Sequence, residues 1–297
     1  MALQIRKATR RKAKLRLALI GPTGSGKTMS SLKLAFGIGG KVGIIDTENG
    51  SADLYAHLGD YDVITLEKPY TVQKYRDALS AFEREGYTTI IVDSLSHAWS
   101  GSGGLLDKQG QLESSGKAKN SFAAWREITP EHNALVETLL ASPCHIIATM
   151  RVKTEYVLEP DARGKMVPVK KGLQPVQRDG VEYEFTVVMD VDAGHKASAS
   201  KDRTTLFDGW FDTITEDTGR RLLAWLESGA EPPKPEPPEK VRAGVDAILA
   251  RIAAEPENVE AIKTETQAQR DWLGANWPDL AANVNAALEA AQQKEAA

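Results

Sequence analysis

One octapeptide constrains this chain more than any other feature. Gly21-Pro22-Thr23-Gly24-Ser25-Gly26-Lys27-Thr28 matches G-x-x-x-x-G-K-[S/T] in full. An apolar run, residues 15–20, precedes it, and a helix-forming run, residues 27–36, follows. The glycines let such a loop turn until its backbone N–H groups face inward on an anion. The loop opens on a helix N-terminus, whose dipole and free N–H groups favour phosphate. Lys27 is placed to reach the β- and γ-phosphates of ATP, and the Thr28 hydroxyl to bind Mg²⁺. Met29 joins the candidate nucleotide-binding set as the next residue of the helix. A chance Gly-rich turn would match about once in a hundred chains this long. The flanking strand and helix patterns make chance rarer.

Beyond the loop, short β-rich runs alternate with helical ones. The predicted strands are 15–20, 42–46, 63–66, 89–93, 145–150 and 184–191. The predicted helices are 27–36, 71–85, 123–140 and 218–227. This alternation predicts an α/β domain with a mainly parallel central sheet flanked by helices. At 297 residues the chain has room for one large domain and a small appendage. The break falls at residues 231–239, where five of the 14 prolines lie between Pro232 and Pro238. Proline at that density holds a chain extended, as a semi-rigid linker. The expected layout is a basic arm (1–14), an ATPase core (15–230), the linker (231–239) and an acidic helical region (240–297) of two or three helices.

The break also resolves the charge. The whole chain carries −4, which argues for no global attraction to nucleic acid. From Glu231 onward there are 12 acidic and seven basic residues, so the core is left at about +1. The single cysteine, Cys144, excludes a disulfide scaffold and a cysteine zinc site, and fits a reducing, cytoplasmic setting. No run approaches 18 apolar residues, so no membrane span is expected. The N-terminus is basic and then apolar, but its apolar part is only about six residues and lacks a small-residue cleavage site. The five histidines show no ligand spacing and read as structural.

A phosphate loop of this kind needs an acid on a neighbouring strand for its metal. Thr88-Thr-Ile-Ile-Val-Asp93 supplies one, although a capping aspartate at a strand end reads the same way. A third strand, Gly43-Ile-Ile-Asp46-Thr-Glu48, also ends in acids. Such an acid could orient or deprotonate an attacking water, or could be a solvated strand end.

From these residues the chain begins to resemble a family. The run IIDTENGSADLYAHLG, residues 44–59, resembles the RecA-type core. The resemblance implies that Glu48 activates water and that Tyr55 packs near adenine. The run His145-Ile-Ile-Ala-Thr-Met-Arg151-Val-Lys153 resembles the RecA strand that ends in a phosphate-sensing residue and leads to a DNA-binding loop. RecA members have glutamine where Thr149 falls, and a threonine hydroxyl could still bond a γ-phosphate or a water. Lys201 and Arg203, at i and i+2 of an extended segment, point the same way. The resemblance implies a cation pair acting in trans on a neighbouring subunit's phosphates; a solvated loop pair is the plainer reading. With residues 172–185, the series resembles the phage-encoded, AAA-type RecA-core ATPases of the Sak recombinase group, implicated in single-strand annealing.

That resemblance implies single-stranded DNA as partner and a homo-oligomer, ring or filament. Between Arg151 and Arg178 lie seven cations, Arg151, Lys153, Arg163, Lys165, Lys170, Lys171 and Arg178, against three acids. A loop or hairpin of net +4 can track phosphates, although a solvated hairpin or a subunit contact is as consistent. The Gly/Ser-rich stretch 100–120, with Trp99 and Phe122 beside it, is a second candidate. The arm, with seven cations between Arg6 and Arg16, could clamp nucleic acid, dock on a neighbour or be solvated. The acidic tail could contact a single-strand-binding protein. The overall expectation is a DNA-dependent Mg²⁺-ATPase acting in the host cytoplasm if phage-encoded. A helicase or loader motor on the same core, and a scaffold clamped by ATP without hydrolysis, are the alternatives.

Overall fold

Three strands, β1 (Arg16–Gly21), β2 (Val42–Asp46) and β4 (Thr89–Asp93), are buried at every residue. Strands covered on both faces by helices must be apolar throughout, which is why these runs do not alternate with polar residues. With β3 (Asp62–Thr65), β5 (His145–Pro160) and β7 (Val187–Val191) they form a parallel sheet, in the order β3-β2-β4-β5-β1-β7. The antiparallel strands β8 (Ala197–Asp202) and β9 (Phe211–Asp212) extend it beyond β7. β6 (Met166–Pro175) pairs antiparallel with the outer part of β5. The expected α/β architecture with a mainly parallel sheet is the one observed. The computed structural model describes residues 5, 7–160, 166–231 and 237–295. By contacts the chain divides into two units, Met1–Glu231 and Pro232–Ala297. Most of the proline-rich segment, residues 232–236, lies outside the described residues.

Each sheet face has its own core, assigned by the two-residue period of the strands. Ala18, Ile20, Ile90, Val92, Ile146 and Ala148 face α2 (Val72–Arg84) and α5 (Ser121–Ala141). Leu17, Leu19, Ile91 and Ile147 face α1 (Lys27–Ile38) and α6 (Glu216–Glu227). On α2, Tyr75, Leu79 and Phe82 recur at helical spacing and are buried. Burying such side chains stabilises by roughly 1.5–3 kcal/mol each. Leu79→Ala would cost about 2–5 kcal/mol, because the cavity adds to the lost transfer energy. α1 and α6 cross at two glycines. A Cβ on Gly37 would lie 2.0 Å from the Glu216 carbonyl, and one on Gly219 2.3 Å from that of Leu34.

Several elements differ from expectation. α5 starts at Ser121, two residues before the predicted 123, because Asn120 Oδ1 accepts from Ala123 N at 2.9 Å and caps it. The predicted strand 184–191 begins only at Val187, after a 3₁₀ turn at Val181–Glu184. β5 runs ten residues past its predicted end at 150. There Val, Thr and Tyr alternate with charges, a hairpin pattern without the apolar signal of a core strand. α3 (Ser96–Ser100) leads into the Gly/Ser-rich stretch, which holds α4 (Leu105–Ser114); the buried Trp99 and Leu105 anchor the two helices.

Arg16 is not part of the basic arm. It is buried on β1 and donates to the carbonyls of Leu15, Leu140, Ser142 and Cys144. It thereby caps the C-terminal end of α5, where carbonyls lack helical partners. Burial lowers its pKa to about 10, so it stays charged at neutral pH. Of the arm proper, Arg10–Lys12 docks in cis on the end of α6. Arg10 N–H donates to Ser228 Oγ and its guanidinium lies 4.9 Å from the Trp225 ring centroid, while Lys12 pairs with Glu227 and Glu231. Arg6 lies outside the described residues.

Among its described residues the second unit has four α-helices rather than two or three: α7 (Glu239–Ala254), α8 (Val259–Glu265), α9 (Gln267–Asn276) and α10 (Pro278–Glu295). Val245, Ile248, Ile252, Ile262, Leu273, Val284 and Leu288 form its core. Trp277 packs against that core, whereas Trp272 is 51% exposed. No helix among the described residues is long and apolar enough to cross a membrane.

Candidate nucleotide site

β1, β2 and β4 end on the same edge of the parallel sheet, and β5 leaves the sheet there at Arg151, where an open α/β sheet places its ligand crevice. The phosphate loop leaves β1 there and enters α1. Gly24 and Gly26 have φ of 78° and 85°, a left-handed geometry that side chains with a Cβ rarely adopt. Lys27 Nζ bends back onto the carbonyls of Gly21 (2.9 Å) and Pro22 (2.8 Å). Burial lowers its pKa, against the pull of Asp93 and Glu48. A phosphate oxygen is a stronger acceptor for this desolvated ammonium than two neutral carbonyls.

Asp93, at the end of β4, is 3% exposed and held on both sides. Thr28 Oγ1 donates to its Oδ2 and Thr149 Oγ1 to its Oδ1, each at 2.5 Å. Burial raises its pKa, the two hydroxyls oppose this, and Glu48 and Asp46 add to the rise. A hydroxyl beside a carboxylate is a hard-oxygen donor set, which suits Mg²⁺. Among the described residues no cluster of three or more His, Cys, Asp or Glu could hold a metal. The residues therefore fit an ion held jointly with phosphates and water, as Mg²⁺ prefers.

Glu48 follows β2, its backbone N–H fixed by Asp46 Oδ1 at 2.6 Å. Its carboxylate faces Arg151 across the cavity in a two-pronged pair: Nε donates to Oε1 at 3.0 Å and Nη2 to Oε2. Burial pushes the Glu48 pKa up, but Arg151, with His97, outweighs it and leaves the group below the ordinary carboxylate value. Beside it, Thr47 Oγ1 and His97 Nδ1 are 2.8 Å apart, and His97 stacks on Tyr70 with centroids 4.9 Å apart. Burial and then Arg151 lower the His97 pKa, so its ring is neutral at pH 7.

The expected residues are brought together unevenly. Thr23, Gly24, Gly26, Lys27, Thr28, Glu48, Tyr55 and Asp93 line one cavity of about 160 Å³. Ser51 and Arg151 line it too, and neither was foreseen there. Arg151 was grouped with the DNA-facing cations; instead it lies on the catalytic candidate. Gly21, Pro22 and Ser25 complete the loop, and Met29 lies on α1 outside the lining. Thr149 is fully buried, and its hydroxyl donates to Asp93, the carboxylate expected to hold the metal. Lys201 and Arg203 do point the same way, but onto their own chain. Lys201 Nζ donates to the carbonyls of Glu182 and Tyr183, and Arg203 Nη2 to that of Tyr183 at 3.3 Å.

His195 was read only as structural. It sits in the β7–β8 turn with φ 63°, its Nδ1 3.0 Å from the Ser25 carbonyl. The Ser25–Gly26 peptide is planar, so fixing its carbonyl also fixes the Gly26 N–H, which points the opposite way. No sequence signal marks this contact, because it joins residues 170 apart.

Of the hairpin cations, Lys153 and Arg178 flank a separate groove at the hairpin's root. Arg163 and Lys165 lie outside the described residues, as do the side chains of Lys170 and Lys171, whose backbone is on β6.

The profile of an AAA domain family matches residues 13–224. The chain belongs to the AAA domain family. No curated protein matches it. Membership agrees with the phosphate loop and the acid at the end of β4, and makes the first unit of this AAA protein a P-loop nucleotide-binding domain of ATPase type.

Proposed function

We propose that this AAA protein hydrolyses Mg·ATP in a cycle coupled to single-stranded DNA, as a recombinase or annealing ATPase of the phage Sak type that works as a homo-oligomer. The observation that supports this most is the course of β5. One strand carries Thr149 behind Asp93, Arg151 on Glu48, and Lys153 at the root of a cation-rich hairpin.

In this reading Lys27 and the loop N–H groups bind and orient the phosphates. Bound Mg²⁺ would supply charge neutralisation at the transferring phosphoryl group. Thr28 and Asp93 would hold it, with the Thr149 hydroxyl favouring the ionised form of Asp93. Glu48 accepts the proton of the attacking water once Arg151 withdraws from it. A strand bound along the hairpin draws Arg151 away and so links turnover to DNA. Arg203, with one long hydrogen bond to its own chain, is the freer cation to reach a neighbouring subunit's phosphates.

The Glu48–Arg151 pair also supports a second reading. A glutamate kept on a guanidinium does not act as a base, and ATP would then serve as an assembly clamp for a strand-binding scaffold. Steady-state turnover with and without single-stranded DNA separates the two. Stimulation of tenfold or more that is lost in Lys27→Ala supports the coupled ATPase. Zero turnover in both conditions, with ATP and strand still bound, establishes the clamp. Turnover indifferent to the strand overturns both.

A further inference from the structure

We infer that the groove at the root of the hairpin is a stacking site for a base of a single-stranded nucleic acid. The inference deepens the function proposed above and rests on it, because both take a single strand as ligand.

The groove measures about 380 Å³ and is walled by two tryptophans. The rings of Trp99 and Trp125 stack at 5.6 Å between centroids, 24° from parallel. Trp99 is buried, and His132 closes on it edge-on at 5.7 Å. It is a fixed backing for Trp125, which is only partly buried on α5. A pre-set aromatic wall loses little conformational freedom when a planar ligand settles on it. Leu106, 37% exposed, extends the apolar side.

The other side is cationic. Lys153 and Arg178 line the groove, and neither has an ion-pair partner among the described residues. Asp179 is the one acid in the lining, which leaves a net charge of +1 there. The backbone beside Arg178 is held in place. Gln177 is buried, donates to the Leu95 carbonyl at 3.2 Å and accepts from the Arg178 N–H at 2.9 Å. Lys153 stands two residues from Arg151 on β5, hence on the same face and about 6.6 Å along.

An aromatic wall and two cations against one acid in a single groove match a ligand that repeats planar rings on an anionic thread. Base stacking on aromatic side chains and backbone attraction to cations are the two contributions that sequence-tolerant strand binding uses. An acidic peptide with an aromatic residue shares some of this chemistry. The strand is favoured because the sequence between Arg151 and Arg178, which Lys153 and Arg178 belong to, carries a net charge of +4.

The test is fluorescence anisotropy on the full chain with ATP, using labelled oligo-dT and an abasic strand of the same length. Trp125→Ala is expected to weaken oligo-dT binding about tenfold and to leave the abasic strand within twofold. Trp125→Phe, which keeps a planar ring, should retain most of the affinity. Lys153→Ala with Arg178→Ala should weaken both strands and lower the salt slope by about 1.4, the single-strand value for two lost phosphate contacts. If Trp125→Ala loses ATP affinity, and so its fold, Trp125→Leu fills the volume without the ring and is read the same way. Equal binding of oligo-dT by wild type and the ring-less variant overturns the site but leaves the function standing. Equal weakening of both strands by that variant assigns Trp125 to packing and also overturns it. Failure of the wild type to bind either strand overturns the function and the site together. An acidic aromatic peptide that binds Trp125-dependently while oligo-dT does not makes the groove a protein site instead.

Discussion

Arg151 grips both carboxylate oxygens of Glu48, although the two residues are 103 apart in the chain. The grip lowers the Glu48 pKa, so the group is ionised well below neutral pH. It also occupies the lone pairs that a base would use. Arg151→Ala removes both effects. The Glu48 pKa then rises, so protonation sets in at higher pH and the acidic limb of the turnover profile moves up. Turnover at neutral pH without DNA should increase several-fold, because the carboxylate is released. Glu48→Gln should keep ATP binding and lose turnover. An unmoved acidic limb in Arg151→Ala would assign the base elsewhere.

Thr149 offers a separate test of the metal role proposed for Asp93. Its hydroxyl helps to keep buried Asp93 ionised. Thr149→Val should raise the Asp93 pKa and weaken the Mg²⁺ dependence of nucleotide binding by about tenfold, the usual size for a lost partner of a metal ligand. Thr149→Ser should restore it. A magnesium titration of ATP binding distinguishes the two variants, and identical curves would reduce Thr149 to packing.

His195 should matter to ATP binding without touching ATP. Removing its ring in His195→Ala frees the Ser25 carbonyl and loosens the Gly26 N–H on the other side of the same peptide. A three- to tenfold loss of ATP affinity is expected by calorimetry. His195→Asn can present a side-chain nitrogen near Nδ1 and tolerates φ 63°, so it should recover most of that loss. Equal losses in both variants would assign His195 to turn stability alone.

A pH effect on stability follows from His145. It is buried on β5, and its Nδ1 accepts from the Leu15 N–H at 3.1 Å. Burial, then Lys14 and Arg16, lowers its pKa to about 4 from an ordinary 6.5. The unfolded chain therefore takes up this proton first as pH falls. The stability held above pH 6.5 is lost between there and pH 4, and the slope ends below pH 4. The loss is on the order of 3 kcal/mol. Urea midpoints from pH 7.5 to 4.5 should fall accordingly, and His145→Asn should flatten the trend.

Features written in contiguous residues could be read before folding. The phosphate loop, Asp93 and Glu48 each stand where an apolar run stops, and a parallel strand must deliver its last residue to the crevice. What escaped depends on neighbours distant in sequence. Arg151 looks like one more cation of the hairpin because nothing local shows that β5 passes beside the Glu48 turn. Arg16 looked like part of a basic arm because its partners are carbonyls near residue 140, which carry no side-chain signal. The outer half of β5 and the helices within residues 96–114 were missed for a related reason: neither has the long apolar periodicity that marks a core element. Trp99 and Trp125 were too far apart in sequence to suggest one stacked wall.

The uninterrupted run of β5 from the sheet into the hairpin carries a thermodynamic obligation. Arg151 and Lys153 share one stiff stretch of backbone, one at the nucleotide and one at the groove. If a strand in the groove alters the affinity for ATP by some factor, ATP must alter the affinity for the strand by that same factor. Two independent titrations, each with the other ligand absent and then saturating, have to close this cycle.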